Sequence, residues 1–114
     1  MEDINLDNVP KDLNEAIMRL DIEFDDSTKK SITAMNEMDF VCDLHFSTGT
    51  WIRNNWGLWS GSALFRYFNS LGIHHPDDMS SVILTCYYRH LKQQNFELEK
   101  QLKYYQDYWK KGSL

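Results

Sequence analysis

The chain has 114 residues, 42% hydrophobic and 14% aromatic, with a formal net charge of −5. That balance excludes a disordered chain and fits one domain able to bury about two-thirds of its unfolded surface. No apolar run approaches the ~20 residues needed to cross a bilayer, and the acidic opening segment does not read as a leader, so a soluble, cytoplasmic protein is expected.

Strict alternation of β-branched residues is missing throughout, which predicts an all-α protein: a compact single-domain bundle of about five helices ending in a long one. A first helix is expected from Pro10, with Asn8 as its cap and Leu13, Ile17, Leu20 and Phe24 as its core stripe. Asp25-Asp26-Ser27 should break it and cap a second helix containing Ile32 and Met35. A third, over residues 37–46, places Phe40, Val41 and Leu44 on one side, with Cys42 and His45 nearby. Ser47-Thr48-Gly49-Thr50 reads as a turn and cap leading into Trp51-Ile52-Arg53-Asn54-Asn55-Trp56-Gly57-Leu58-Trp59. Ser60-Gly61-Ser62 caps a helix that turns Leu64, Phe65, Phe68 and Leu71 to the core, with Gly72 just past its end.

The last helix opens at His75-Pro76-Asp77-Asp78, where proline and first-turn acids suit a helix start. From Asp77 to Lys111 there is neither Pro nor Gly, and a seven-residue pattern is sustained. Tyr88, Asn95, Leu102 and Trp109 take one seam position; Leu84, Leu91, Leu98 and Tyr105 take the other. A continuous helix of about 33 residues would be about 50 Å long, too long to pack entirely on its own globule. The pattern therefore divides the chain into a globular part, residues 1–91, and a helical extension, residues 92–114. Either the extension pairs as a coiled coil with a second copy through Leu91, Asn95, Leu98, Leu102, Tyr105 and Trp109, or it folds back after a break near Gln93-Gln94-Asn95.

Three of the four tryptophans fall in the nine residues 51–59, around one Arg and two Asn. Such a patch is either the organising core or a surface built to hold something. Arg53 with Asn54, Asn55, Trp56 and Trp59, joined by His75, Asp77 and Asp78, is the candidate binding set. Arg53 could clamp a carboxylate or phosphate, or it could pair with Asp77 or Asp78 and tie the middle of the chain to the last helix. The second is favoured, because its large apolar neighbours demand burial. His45, His74, His75 and the two acids show no metal-ligand spacing, and no nucleophile or phosphate-loop motif occurs, so no catalytic residue, metal or cofactor is assigned. Arg89 is expected to face the acidic half as a structural tie. Cys42 and Cys86 lack paired spacing and are expected as buried thiols.

Charge is strongly uneven. Residues 1–48 carry twelve acids against four bases, whereas residues 49–114 carry five acids against eight. An acidic front half disfavours nucleic acid and is compatible with a basic protein partner, although a solvated acidic helix face is the favoured explanation.

The run from Phe46 through the tryptophan block, then Phe68, Gly72-Ile73, His75-Pro76-Asp77-Asp78-Met79-Ser80-Ser81, Ile83-Leu84 and Tyr88-Arg89, resembles a family of small helical bacterial domains of unknown function. The resemblance covers about residues 10–91 and implies bacterial origin and a helical domain, but no activity. The leading expectation is a non-enzymatic protein-binding module, in its specific form an immunity- or antitoxin-like inhibitor whose acidic face covers a basic toxin. The alternative is a small-molecule or anion site centred on Arg53 in an aromatic pocket; a third reading is a scaffold assembled through the C-terminal helix.

Overall fold

The helix that organises the molecule carries apolar residues on several sides of its axis, which calls for neighbours on each of them. A computed structural model describes residues 9–112, and among these there are seven helices and no strand. They are α1 (Leu13–Glu23), α2 (Asp26–Ala34), α3 (Glu37–His45), α4 (Thr48–Asn55), α5 (Ala63–Ser70), α6 (Pro76–Leu91) and α7 (Leu98–Gly112). Each of the other six helices contacts α6. Met79, Val82, Ile83, Leu84, Cys86 and Tyr87 on α6 are wholly buried, meeting Leu20, Phe40, Ile52, Leu64 and Phe68 from the surrounding elements.

Local chemistry starts most of these helices. Asp12, Asp25, Asn36 and Ser62 cap α1, α2, α3 and α5, each side chain accepting the backbone N–H three residues on. Asp12 rather than the Pro10 region therefore opens α1, and Asn8 lies outside the described residues. Two further expectations change, which raises the expected five helices to seven. Ser47 holds the cap position expected of this segment, without a side-chain cap bond, but Thr48 onward already belongs to α4, which carries most of the tryptophan block. The expected long C-terminal helix is two helices.

The break lies at residues 92–97. Gln93 adopts φ 57°, its N–H donates to the His90 carbonyl, and the Gln94 N–H donates to the Arg89 carbonyl. This is the same Schellman ending that Gly72 gives α5, where Gly72 and Ile73 donate to Asn69 and Phe68. Glycine adopts the left-handed region freely; Gln93 and Glu97 (φ 48°) do so at a cost of roughly 1–2 kcal/mol each. The Asn95 side chain caps the restart by accepting the Glu97 N–H. α7 then returns antiparallel to α6, with Gln101 bonded to Cys86 and Trp109 bonded to Asp78. Leu91, Leu98, Leu102 and Tyr105, expected as an intermolecular seam, pack on the chain's own core. The longest dimension is 45 Å, shorter than the rod that an unbroken helix would have made.

Side chains near the end of α6 tie it to the acidic front half. Tyr87 and Tyr88 hydroxyls donate to Asp21 and to the Met35 carbonyl. Arg89 holds Glu37 with both arms of its fork, at 2.6 and 3.1 Å, while also donating to the Phe96 carbonyl. Arg89 is thus the structural tie expected of it.

The two thiols have opposite environments. Cys86 is buried as expected, but Cys42 is exposed, because its position on α3 faces away from the side carrying Phe40 and Leu44. Burial pushes the Cys86 thiol up from its ordinary 9.0 to about 11, and also raises Tyr87, which faces Asp21. The folded state thus holds these protons more tightly than the unfolded chain does. The Cys86 contribution is complete below pH 9.0 and is lost as pH climbs toward about 11, whereas that of Tyr87 begins to fade only above its ordinary 10.0. Melting temperature should consequently fall above pH 9.0, and less steeply in Cys86→Ala than in the parent chain. In a thiol-titration assay at neutral pH, Cys42 alone should react quickly, with Cys86 joining only on unfolding.

Candidate functional site

Position within α4 decides the fate of each residue in the tryptophan block. Ile52 and Trp56 point inward, and Trp51 meets Trp56 edge-on at 5.7 Å between ring centres. Asn54 is exposed, and Asn55 turns back to donate to the Trp51 carbonyl at 2.9 Å. Asn54, Asn55 and Trp56 border a cleft of about 470 Å³ with Pro10, Gly57 and Ser62.

Arg53 itself is 6% exposed. Its guanidinium donates to the Ser80 hydroxyl at 2.7 Å, the Thr50 hydroxyl at 3.0 Å and the His45 carbonyl at 3.1 Å. Its Nε lies 3.3 Å from an Asp77 carboxylate oxygen. Ser80 passes the chain of bonds on by donating to the Asp77 carbonyl at 3.0 Å. The fork is engaged from inside the protein, tying the end of α3 and all of α4 to the first turns of α6. That is the favoured structural pairing with Asp77.

Beside this network the structure gathers His75, Asp77, Asp78, Trp59 and Trp109. The His75 Nδ1 accepts the Asp77 N–H at 3.0 Å and so acts as the cap of α6. Trp109 stacks on the His75 ring at 5.6 Å between centres, and Trp59 meets the same ring edge-on at 5.9 Å. The Trp109 indole N–H donates to Asp78 at 2.7 Å, so this residue, expected on a dimer seam, closes an intramolecular contact. An open cleft of about 460 Å³ runs alongside, bordered by Gly72, His74, His75, Gln106, Trp109 and Lys110. His74 is held by Asn69 at 2.8 Å. Among the described residues, no three His, Cys, Asp or Glu side chains stand close enough to share a metal ion.

Four exposed apolar side chains were missed in the sequence. Met18, Ile22, Met38 and Phe46 are 65%, 72%, 75% and 83% exposed, and all lie on α1, α3 or the residue after α3. Met38, Cys42 and Phe46 follow one another at four-residue spacing, which sets them on one stripe of α3 with Asp39 and Asp43 beside it. On α1, Met18 and Ile22 repeat the same spacing next to Glu15 and Glu23. The available signal was a second apolar spacing on helices whose core stripe was already accounted for. The Arg53 network reaches one of these four side chains: His45, whose carbonyl Arg53 holds, abuts Phe46 edge-on at 4.9 Å, and Thr50 donates to the Phe46 carbonyl.

Residues 9–91 match a family whose description is "Domain of unknown function (DUF6794)". The chain belongs to that family. Its match ends at Leu91, the last residue of α6, so α1 to α6 form the family segment and α7 lies beyond it. Neither the curated proteins nor the solved structures provide a match. No described helix is long and apolar enough to cross a membrane.

Arg53→Met should lower stability by about 2–4 kcal/mol in urea unfolding. It removes the donor to the His45 carbonyl and to the Ser80 and Thr50 hydroxyls, which keep only their own bonds to the Asp77 and Phe46 carbonyls, while half-exposed Asp77 regains water and softens the loss. Arg53→Lys should recover only part of it, since one ammonium cannot reproduce the planar fork.

Proposed function

We propose that this chain is a non-enzymatic protein-binding module whose acidic front half docks a basic protein. The observation that carries the reading is the placement of Met18, Ile22, Met38 and Phe46 in water on or beside the two helices that also carry Glu15, Asp21, Glu23, Glu37, Asp39 and Asp43. Methionine and aromatic side chains are common anchors in protein interfaces, and acids around them steer a cationic partner and speed its encounter. Inside the molecule, no buried side-chain nitrogen or oxygen lacks a partner among the described residues, and Arg53 is spent on the fold. The specific form of the proposal is an immunity- or antitoxin-like inhibitor in a bacterial cytoplasm, covering a basic toxin such as a nuclease.

The anion-site alternative draws little support at Arg53, whose donors meet Ser80, Thr50 and His45. A thermal-shift screen of metabolites tests it, since occupancy at about 100 times Kd should stabilise by roughly 2.7 kcal/mol.

The leading reading is tested by affinity purification from the native host at low and high salt, followed by binding measurements with the recovered protein. The partner should be basic, and association should slow by roughly tenfold or more as the screening length falls from about 30 Å to about 8 Å. Met38→Ser combined with Phe46→Ser should abolish binding without lowering the melting temperature, whereas Tyr104→Ser on α7 should leave it intact. Retention indifferent to both salt and the α3 stripe would defeat the proposal.

A further inference from the structure

A cleft of about 460 Å³ opens between the end of α1 and the junction from α3 into α4. Leu20, Phe24 and Trp51 supply its apolar lining; Glu23, Ser47 and Thr48 supply its polar one. Glu23 directly follows exposed Ile22 in the chain, and Ser47 directly follows exposed Phe46. The cleft is thus joined through the backbone to two of the four apolar side chains assigned to docking.

Its aromatic walls are backed from inside. The Phe24 ring lies 5.6 Å from that of Tyr87, and the Trp51 ring 5.7 Å from that of Trp56, and both inner rings are buried. A recess with walls supported in this way is formed before any occupant arrives.

The polar members of the cleft are idle in the fold. Among the described residues, neither Arg19, one turn back on α1, nor Lys29, which holds Asp21 at 3.2 Å, pairs with Glu23. Ser47 sits at the cap position of α4 without a side-chain cap bond, and no described residue bonds the Thr48 hydroxyl.

Charge decides what fits. α1 ends and α4 begins here, so their opposite end charges, about half an elementary charge each, offset one another. The Glu23 carboxylate remains, with Asp25 and Asp26 two and three residues further on. An anion is disfavoured and a cation invited. A lysine ammonium would satisfy Glu23, but it is a compact and strongly hydrated charge. An arginine lays an apolar stem and a planar, weakly hydrated fork against aromatic rings such as Phe24 and Trp51. Its five donors can serve the carboxylate and the two hydroxyls together.

We infer that this cleft takes an arginine side chain of the basic protein partner, an inference that rests on the docking reading above. Arginine seated in a pocket is a frequent anchor of protein interfaces, and here it would sit beside apolar contacts that exclude water.

The test uses the full chain labelled with nitrogen-15 and two capped peptides as probes, Gly-Arg-Gly and Gly-Lys-Gly, followed by NMR at the tryptophan indole N–H signals. The Trp51 signal, assigned through Trp51→Phe, should shift saturably with the arginine peptide, while the Trp109 signal stays. The lysine peptide should bind about two- to fivefold more weakly. Glu23→Gln should weaken the arginine peptide by about two- to fivefold, the range of an exposed ion pair. Glu15→Gln, which removes the same charge from an exposed site elsewhere on α1, should not. A Trp51 signal that stays put, or one that moves alike for both peptides and in Glu23→Gln, overturns the inference. The peptides need no host partner, so the two readings separate. A basic partner whose binding requires Met38 and Phe46 but ignores Glu23→Gln removes the arginine site and leaves the docking reading standing.

Discussion

The burial of α6 on all sides sets the arrangement of the other helices. Each of its large apolar side chains contributes roughly 1.5–3 kcal/mol when removed from water, and that gain requires neighbours all round. A single sixteen-residue helix cannot be covered by one or two partners, so six others surround it. The outer helices are accordingly half-wet: α2 and α3 each bury one residue fully, and α7 none. Surface features of functional interest are confined to these outer helices, because α6 has almost no exposed face.

A buried cation is a poor stabiliser in itself, since desolvation offsets much of its Coulomb attraction. Arg53 has another effect. Its fork reaches a carbonyl at the end of α3, a hydroxyl on α4 and a hydroxyl on α6, three groups that no single apolar side chain could align. The junction after α3 therefore has one favoured geometry, and Phe46 projects into solvent at that junction. In this way an interior residue governs how an exterior one is presented.

Several elements were legible from local chemistry alone. Asp25, Ser62, Gly72 and Pro76 mark boundaries that the fold keeps, because capping and left-handed glycine act within a few residues. The Arg53–Asp77 pairing was legible too, since so apolar a neighbourhood leaves an arginine few alternatives to an internal acid. Other features were not. The α6–α7 turn was ambiguous because both outcomes bury the same seam, and Gln93 has none of the composition that usually announces a reversal. Cys42, Met18 and Ile22 were misjudged or overlooked for a related reason: an apolar residue on a short amphipathic helix does not disclose which neighbours will cover it.

Arg89 grips Glu37 on α3 with one part of its guanidinium and the Phe96 carbonyl with another. The family segment and the appended helix thus share a single donor group. Disturbances made separately at Glu37 and in the turn before α7 should accordingly be energetically non-additive, although the two places are far apart in sequence. Whatever loosens one end leaves a freed guanidinium to be redistributed at the other, so α7 is mechanically continuous with the acidic helices despite lying outside the family's boundary.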